Sequence, residues 1–166
     1  MGLEFSKVLS EDEISRLADI AKGIWYEYFP GLISAKQVDY MVEKYQSKNA
    51  ISRQIASEGY QYFMVIDGSD ILGYIGIREE NDKLFLSKLY LKKEFRGRGY
   101  FSKMLLFIED IAKNKKLKSL YLTVNKHNDN SVLVYKKKGF SVINEQAADI
   151  GGGFIMDDYI MEKKLK

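Results

Sequence analysis

Residues 84–112 read LFLSKLYLKKEFRGRGYFSKMLLFIEDIA and contain the change of pattern that decides the fold. The run Leu84–Leu91 is almost continuously apolar, which is typical of a strand in the centre of a sheet. The glycines of Arg96–Gly99 then interrupt the pattern. From about Tyr100 onward the apolar residues recur at helical spacing, at Met104, Leu105, Ile108, Ile111 and Ala112. A central strand, a glycine turn and an amphipathic helix therefore follow one another.

The glycine turn is a candidate phosphate site. Glycine lets the backbone turn tightly and bring its N–H groups close to a ligand. The free N–H groups and the dipole at the start of the next helix favour a phosphate, and Arg96 and Arg98 can add charge-assisted hydrogen bonds. Glycines at such a turn also occur for conformational reasons alone. The dinucleotide fingerprint needs a third glycine where Ser102 stands, and the G-K-[ST] of a P-loop is absent, so both of these nucleotide-binding patterns are excluded.

A second motif follows the next predicted strand, Leu120–Val124. Asn128 precedes a short predicted helix that carries Tyr135 and ends at Gly139, before Phe140. Together the two motifs resemble the GNAT superfamily of acyl-CoA-dependent N-acetyltransferases. The resemblance implies an α/β fold in a single domain, residues 1–166, with a mixed, mostly antiparallel sheet and helices on both faces. It also implies that a pair of parallel strands splays apart at the cofactor cleft.

The resemblance further implies which residues bind the co-substrate acetyl-CoA. The backbone of Leu89 and Leu91 would pair with the pantetheine arm, Asn128 would contact the arm, and Tyr135 would be the general acid for the leaving thiolate. The pyrophosphate loop corresponds to Arg96, Gly97, Arg98, Gly99, Tyr100, Phe101 and Ser102. Phe101 departs from the family pattern, which usually has Gly or Ala there, and its side chain is expected in the core. The structural alternatives are a core aromatic for Tyr135 and a helix N-cap for Asn128.

The remaining segments also alternate between helix and strand patterns. Ser10–Glu13 is a capping box, and the helix it begins is expected to stop at Pro30-Gly31. A second cap lies at Ser34–Gln37, and a third, shorter helix is expected to end at Gly59. The other predicted strands are Tyr60–Ile66, Ile71–Arg78, one beginning at Phe140, and Phe154–Met161.

Composition narrows the possible chemistry. The 166 residues include no Cys and one His, His127. A disulfide scaffold, a thiolate metal site and an acetyl-cysteine intermediate are therefore excluded, and direct transfer to the acceptor is expected. One His does not make a histidine metal cage or a Ser-His-Asp triad, so no metal is expected. The absence of a long apolar run and the charged residues near the N-terminus predict a cytoplasmic protein that does not enter a membrane.

The net charge of +3 conceals a segregation along the chain. Residues 83–140 hold 15 basic and 4 acidic residues, a net charge of +11, and the remainder holds 11 basic and 19 acidic residues, a net charge of −8. The basic segment contains both motifs, which suits a polyanionic ligand, although lysines on solvated helices are the simpler interpretation. Nucleic-acid binding would need these lysines to share one surface with aromatics, and it is not expected.

The sequence does not identify the general base. The candidates are four carboxylates, Glu27, Glu79, Glu80 and Asp82, and the lone His127, all of which are also ordinary surface residues. Tyr121 and Thr123 share one side of their strand and could hold a water that relays the proton. Side chains alternate along a strand, which predicts that Ser87 and Lys88 do not both face the cleft.

The acceptor is expected between the N-terminal helices and the last strands. Trp25, Glu27 and Tyr28 are candidate substrate-binding residues, and Asp157-Asp158-Tyr159 lies in the tail. Aromatic faces and carboxylates suit a cationic amine, so a small polyamine-like acceptor is predicted, in keeping with a likeness to bacterial diamine and spermidine acetyltransferases. The alternatives are peptide or protein amines, and a non-catalytic sensor of acyl-CoA. The expected partners are the small-molecule amine and a second copy of the chain in a homodimer.

Overall fold

The computed structural model describes residues 2–166. In chain order the elements are β1 Glu4–Lys7, α1 Glu11–Tyr28, α2 Ala35–Met41, α3 Lys48–Ser57, β2 Tyr60–Asp67, β3 Asp70–Glu80, β4 Lys83–Leu91, α4 Tyr100–Asn114, β5 Ser119–Asn125, α5 Asp129–Lys137, β6 Ser141–Gly151 and β7 Phe154–Lys164. A π-helical turn, Val42–Gln46, extends α2, and a 3₁₀ turn, Lys93–Phe95, follows β4. Across the described residues, no helix has the length and apolar character needed to cross a membrane.

The strands form one seven-stranded sheet in the order β1-β2-β3-β4-β5-β7-β6. All neighbours are antiparallel except β4 and β5, which run parallel and pair only from Lys83 with Ser119 to Phe85 with Tyr121. Beyond that point β4 and β5 are no longer paired, whereas β5 stays paired with β7 as far as Asn125. The predicted mixed, mostly antiparallel sheet with one splayed parallel pair is confirmed.

Helices cover both faces of the sheet, because successive side chains of a strand point to opposite faces. On β2, Phe63 and Val65 join the core formed with α4 and α5, whereas Tyr62 and Met64 join the core formed with α1 and α3. A third apolar cluster lies under α2, where Trp25 meets the end of β6 at Ile150. The site described below opens between these layers.

The helix starts follow the predicted caps. The hydroxyl of Ser10 accepts from the N–H of Glu13 while the Glu13 carboxylate accepts from the N–H of Ser10, so both halves of the capping box form. Ser34 caps α2 in the same way by accepting from the N–H of Gln37. A cap of this kind contributes about 1 kcal/mol to the stability of its helix.

Two features of the sheet lie outside the sequence prediction. The short strand β1 pairs with the edge of β2, from Glu4 opposite Ile66 to Lys7 opposite Phe63. In the middle of β4 the pairing with β3 changes register, so that Leu86 faces Ile77 and Lys88 faces Gly76 while Ser87 is an extra residue, a β-bulge.

Candidate active site

The splaying of β4 from β5 opens a cleft with a volume of about 420 Å³. Its walls are the C-terminal half of β4, the end of β5, the glycine turn before α4 and one face of α5. The predicted cofactor residues that line it are Leu89, Leu91, Arg96, Gly97, Gly99, Phe101, Ser102, Asn128 and Tyr135. The cleft therefore brings both sequence motifs to one place.

The backbone of β4 is not paired with another strand on the side of this cleft. The N–H of Lys92 donates to the carbonyl of Leu72, 2.8 Å away, on the β3 side. Because main-chain groups alternate along a strand, those of Leu89 and Leu91 face the opposite side, where β5 has moved away. The carbonyl of Leu91 accepts from the Arg96 Nε at 3.0 Å. The open edge can thus pair with an extended amide chain, as the sequence motif implies.

The glycine turn carries positive backbone angles at the start of α4. Gly97 has φ +75° and Gly99, the N-cap, has φ +85°, and a Cβ at either position would meet no heavy atom within 4 Å. Glycine is required here by the backbone conformation rather than by crowding. The open space in front of the first N–H groups of α4 is suited to an anion.

Lys138 is a cation in the cleft that the sequence motif did not include. Its ammonium donates to the hydroxyl of Ser102, next to the glycine turn, and both residues line the cleft. Lys138 stands three residues after Tyr135 on the turn that ends α5. The run of lysines at 136–138 was the signal in the sequence, but only the fold shows which of them faces the cleft.

Four members of the predicted loop and acceptor wall have side chains that contact other residues of the protein. Arg96 forms an ion pair with Glu27 on α1, with 2.6 Å between Nη2 and Oε1, and its guanidinium lies over the ring of Tyr28. Glu27 is thereby held outside both the cleft and the acceptor cavity described below. The Tyr100 hydroxyl donates to Asp67 at 3.3 Å, and the Arg98 guanidinium lies over Phe95.

Asn128 joins α5 to α1 across the cleft. Its Nδ2 donates to the hydroxyl of Tyr28 at 2.7 Å, and its Oδ1 accepts from the N–H of Ser131 at 3.3 Å, so it does cap α5. The Tyr28 hydroxyl also lies 2.9 Å from the hydroxyl of Ser131. Tyr28, a candidate for the acceptor wall, thus lines the cofactor cleft instead.

Tyr135 sits in an aromatic frame at the wall of the same cleft. Its ring packs edge-on against Phe101 at 5.6 Å and against Phe140 at 5.4 Å between centroids. The Phe101 side chain thus supports the tyrosine. Burial raises the pKa of Tyr135 well above its ordinary value, with the neighbouring Tyr28 as a smaller cause, so the hydroxyl stays protonated throughout the neutral range. It can donate a hydrogen bond or a proton, which suits a general acid.

A second cavity of about 230 Å³ adjoins the cleft on the α1–α2 side. Phe29, Ser87, Tyr90, Thr123 and Asn125 line both cavities. Trp25 and Tyr90 contribute aromatic wall, and the Trp25 indole N–H is held by the hydroxyl of Tyr74 at 2.8 Å. We call it the acceptor cavity, because it meets the cofactor cleft at the point where β4 and β5 separate.

Asp158 on β7 is a buried carboxylate in the wall of this acceptor cavity. It is 5% exposed, lies opposite Asn125 in the sheet, and within residues 2–166 its carboxylate accepts no hydrogen bond from the protein. Burial raises the pKa of Asp158 to about 6, further raised by Asp157 and lowered by Lys126. At neutral pH it is mostly ionised, so it can hold a cation or accept a proton.

Ser87 lines the cofactor cleft and Lys88 does not, as predicted, but both reach the acceptor cavity. Because Ser87 is an extra residue, both side chains line the acceptor cavity, and the Lys88 ammonium donates to the Ser87 hydroxyl at 2.6 Å. Gly76 lies opposite Lys88, and a Cβ there would come within 3.0 Å of the Lys88 Cγ. Burial lowers the pKa of Lys88 to about 8, with the positive charge of Arg78 as a smaller cause.

The other candidate bases line neither cavity. Glu79 pairs with Lys115 at 3.3 Å and Asp82 with Lys118 at 3.5 Å, both near the surface. Glu80 bonds to Arg78 and to the hydroxyl of Tyr121, which is therefore occupied away from the cleft. His127 is a loop residue whose backbone N–H donates to Asn125 at 2.8 Å. Of the relay residues that the sequence suggested, only Thr123 lines the cavities.

An open strand edge, an anion-binding turn and a protonated tyrosine around one cleft, with an acceptor cavity beside it, define an acyl-CoA-dependent transferase. The donor set fits the co-substrate, because backbone amides suit an amide-rich arm, while the turn with Lys138 suits phosphates. The description of the acetyltransferase (GNAT) family matches residues 22–140. The chain belongs to this family and is an acetyl-CoA-dependent N-acetyltransferase.

Individual relatives agree with this assignment over nearly the whole chain. The spermidine N(1)-acetyltransferase of Thermoplasma acidophilum is 26% identical over 170 residues, which cover 100% of this chain and 99% of the relative. The crystal structure of the PaiA N-acetyltransferase from Thermoplasma acidophilum, in complex with coenzyme A, superposes with a TM-score of 0.80 at 26% identity and covers 99% of this chain and 100% of that one. A GCN5-related N-acetyltransferase from Rhodopseudomonas palustris shares the fold, with a TM-score of 0.79 at 14% identity, over 99% of this chain and 95% of that one.

Proposed function

We propose that this enzyme transfers the acetyl group directly to a small primary amine, which enters the acceptor cavity as its ammonium ion and is held there by Asp158. The observation that carries the proposal is the buried, unpartnered carboxylate of Asp158 in a cavity that adjoins the cofactor cleft. Burial disfavours the charged form of a carboxylate that has no partner, so a cationic ligand at this position stabilises the ionised Asp158.

The residues of the two cavities have distinct tasks in this proposal. The open edge of β4 at Leu89 and Leu91 binds the arm of the co-substrate. The turn at Gly97 and Gly99, with Lys138, binds its phosphates. Bound acetyl-CoA supplies an acyl thioester, in which the carbon–sulfur bond breaks as the carbon–nitrogen bond forms. Backbone N–H groups on the open edge of β4 stabilise negative charge on the carbonyl oxygen.

Asp158 and Tyr135 carry out the two proton transfers of the proposed reaction. An alkyl ammonium has a pKa near 10, so the nitrogen must lose a proton before it can attack. Asp158 accepts this proton, because it is ionised at neutral pH and faces the cavity. Tyr135 holds a proton on Oη and gives it to the sulfur. Of the two protons that the ammonium loses overall, one replaces the proton given by Tyr135 and the other passes to water.

The polyamines are one class of acceptor that suits the amine end of this cavity. The relative from Thermoplasma acidophilum, 26% identical along its whole length, is a spermidine N(1)-acetyltransferase. The aromatic wall of the acceptor cavity at Tyr60 and Tyr90 also suits a cationic nitrogen. We further propose that residues 1–166 act as one domain in the cytoplasm, with the amine as small-molecule partner. The proposal includes a homodimer of this chain. It includes no nucleic acid and no membrane as a partner.

Thiol release tests the proposed function. The purified chain is mixed with acetyl-CoA and a panel of polyamines, amino sugars, amino acids and peptides, and the free thiol is followed. At least one small primary amine is expected to give turnover. Stabilisation by acetyl-CoA with no thiol released by any amine would instead identify a sensor of acyl-CoA, and turnover of peptides alone would identify a peptide acetyltransferase.

A matched pair of variants tests the role of Asp158. Asp158→Asn is expected to lower kcat/KM for the best amine by about 10²-fold, because the amine loses both its counter-ion and its proton acceptor. The control is Asp157→Asn, since Asp157 is adjacent, half-exposed and paired with Lys126 at 2.9 Å on the other face of β7. Equal effects of the two substitutions would remove Asp158 from the proposed mechanism.

A further inference from the structure

The acceptor cavity contains a second ionisable group that the transfer reaction does not use. Lys88 lines the same cavity as Asp158, and these two residues are the charged side chains of its lining among residues 2–166. They form no ion pair with one another, since no nitrogen of Lys88 lies within 4.0 Å of the Asp158 carboxylate. The cavity therefore presents a negative charge at one position and a positive charge at another.

The position of Lys88 depends on two special features of the sheet. The β-bulge turns Lys88 to the same face as Ser87, and Gly76 on the neighbouring strand leaves the space that the Lys88 stem occupies. A regular β4 would turn Lys88 to the other face of the sheet, and a Cβ at residue 76 would crowd the Lys88 Cγ at 3.0 Å. The conformation of β4 and the space at Gly76 thus place the Lys88 side chain in the lining of the cavity.

Lys88 has no carboxylate within ion-pair distance among residues 2–166. Its hydrogen-bond partner is the uncharged hydroxyl of Ser87. Glu80, on the neighbouring strand β3, is bonded to the guanidinium of Arg78 and to the hydroxyl of Tyr121. The positive charge of Lys88 is consequently free to act on a ligand in the cavity.

Lys88 and Asp158 lie on strands that are not neighbours in the sheet. Lys88 lies on β4 and Asp158 on β7, with β5 between them. Neighbouring strands lie about 4.8 Å apart, so the two backbones are about 10 Å or more from one another, and the splaying of β4 from β5 adds to this. A ligand that bridges them needs several atoms between its two ends.

We propose that the acceptor carries an anionic group, such as a carboxylate, several atoms from its reactive amine, and that Lys88 is the specificity-determining residue that binds this group. This inference rests on the proposed function, in which Asp158 binds the amine end of the acceptor. It adds the chemical group at the opposite end. A second ammonium at that end, as in a diamine, would face the positive charge of Lys88 and bind more weakly.

Two matched series of acceptors test this inference. One is the set of unbranched ω-amino carboxylic acids with two to six carbons, and the other is the set of terminal diamines of the same lengths. For the wild-type chain, kcat/KM of the best amino acid is expected to exceed that of the diamine of equal length by at least about 10-fold. The preference should reside in KM, because Lys88 acts on the end of the acceptor that does not react.

Substitution of the lysine completes the test. Lys88→Met keeps the length of the side chain and removes the charge, so the preference for the amino acid is expected to disappear. Lys88→Arg retains the charge and is expected to retain the preference. Circular dichroism and thermal unfolding of both variants serve as the control for folding.

The outcomes separate the two proposals. Diamines that turn over as well as the amino acids in the wild-type chain, or a preference that Lys88→Met leaves unchanged, would overturn the role of Lys88 and leave amine acetylation intact. Absence of thiol release with every amine in both series, and with the wider panel, would contradict the proposed function itself.

Discussion

The burial of Asp158 makes stability and activity respond in opposite directions to one substitution. In the folded chain the pKa of this carboxyl lies at about 6, compared with an ordinary 3.8, because burial disfavours the charged form. A difference of about two in pKa corresponds to about 2 to 3 kcal/mol. Asp158→Asn is therefore expected to stabilise the folded protein by about this amount at pH 8, although it lowers activity.

The direction of the pH dependence of stability follows from the pKa of Asp158 in the folded and unfolded states. Since the folded-state pKa is the higher one, the protonated form of Asp158 is favoured by folding. That stability is fully present below about pH 4 and is lost as the pH rises through 6, where the buried carboxyl ionises. At pH 5 the wild-type chain has recovered about half of the loss, so the advantage of Asp158→Asn is expected to be about half as large there.

Urea unfolding at pH 8 and at pH 5 measures this difference directly. For a chain of this size, 1 kcal/mol corresponds to a change in Tm of about 2 to 4 °C, so thermal unfolding gives a second readout. Asp157→Asn is the control, because its side chain is half-exposed and its substitution removes an ion pair instead of a buried charge. A wild-type chain more stable than Asp158→Asn at pH 8 would refute the view that the carboxylate is a costly buried charge.

Three further substitutions follow from the site. Tyr135→Phe is expected to lower kcat by about 10²-fold while acetyl-CoA still stabilises the protein in a thermal shift, and an unchanged kcat would remove Tyr135 from the mechanism. Gly99→Ala places a side chain at φ +85°, so the free energy of unfolding in urea is expected to fall by about 1 to 2 kcal/mol. KM for acetyl-CoA is also expected to rise. Equal KM values for the variant and the wild-type chain would argue against phosphate binding at this turn. Gly76→Ala puts a Cβ 2.7 Å from the ring of Tyr62 and 3.0 Å from Lys88. The free energy of unfolding is therefore expected to fall by about 1 to 3 kcal/mol, which urea unfolding measures. KM for the acceptor is expected to rise, which steady-state kinetics measures.

The order of helices and strands was predictable because local signals mark it. Ser10 and Ser34 cap helices where their patterns indicated, and the glycine turn and the Asn128–Phe140 motif lie on either side of one cleft. The apolar run of β4 indicated a central strand, and it is indeed the fourth of seven. These features depend on a few consecutive residues, which is why the sequence alone contains them.

The acceptor side was not predictable in the same way. A β-bulge at Ser87 breaks strict alternation and has no residue signature in β4, so the joint exposure of Ser87 and Lys88 to the cavity was missed. Asp158 is buried only because β7 lies between β5 and β6, a consequence of long-range pairing. Glu27 was expected near the amine, but the distant Arg96 holds it elsewhere.

Helix α1 belongs to both cavities at once. Trp25 stands at the acceptor cavity and Tyr28 at the cofactor cleft, three residues and about 4.5 Å apart along one rigid helix. A change in this helix that reshapes the acceptor side therefore also disturbs the cofactor side. Substitution of Lys88, on β4, alters the acceptor cavity without changing a residue of α1. A new acceptor specificity is therefore expected to arise more readily from the strands than from α1.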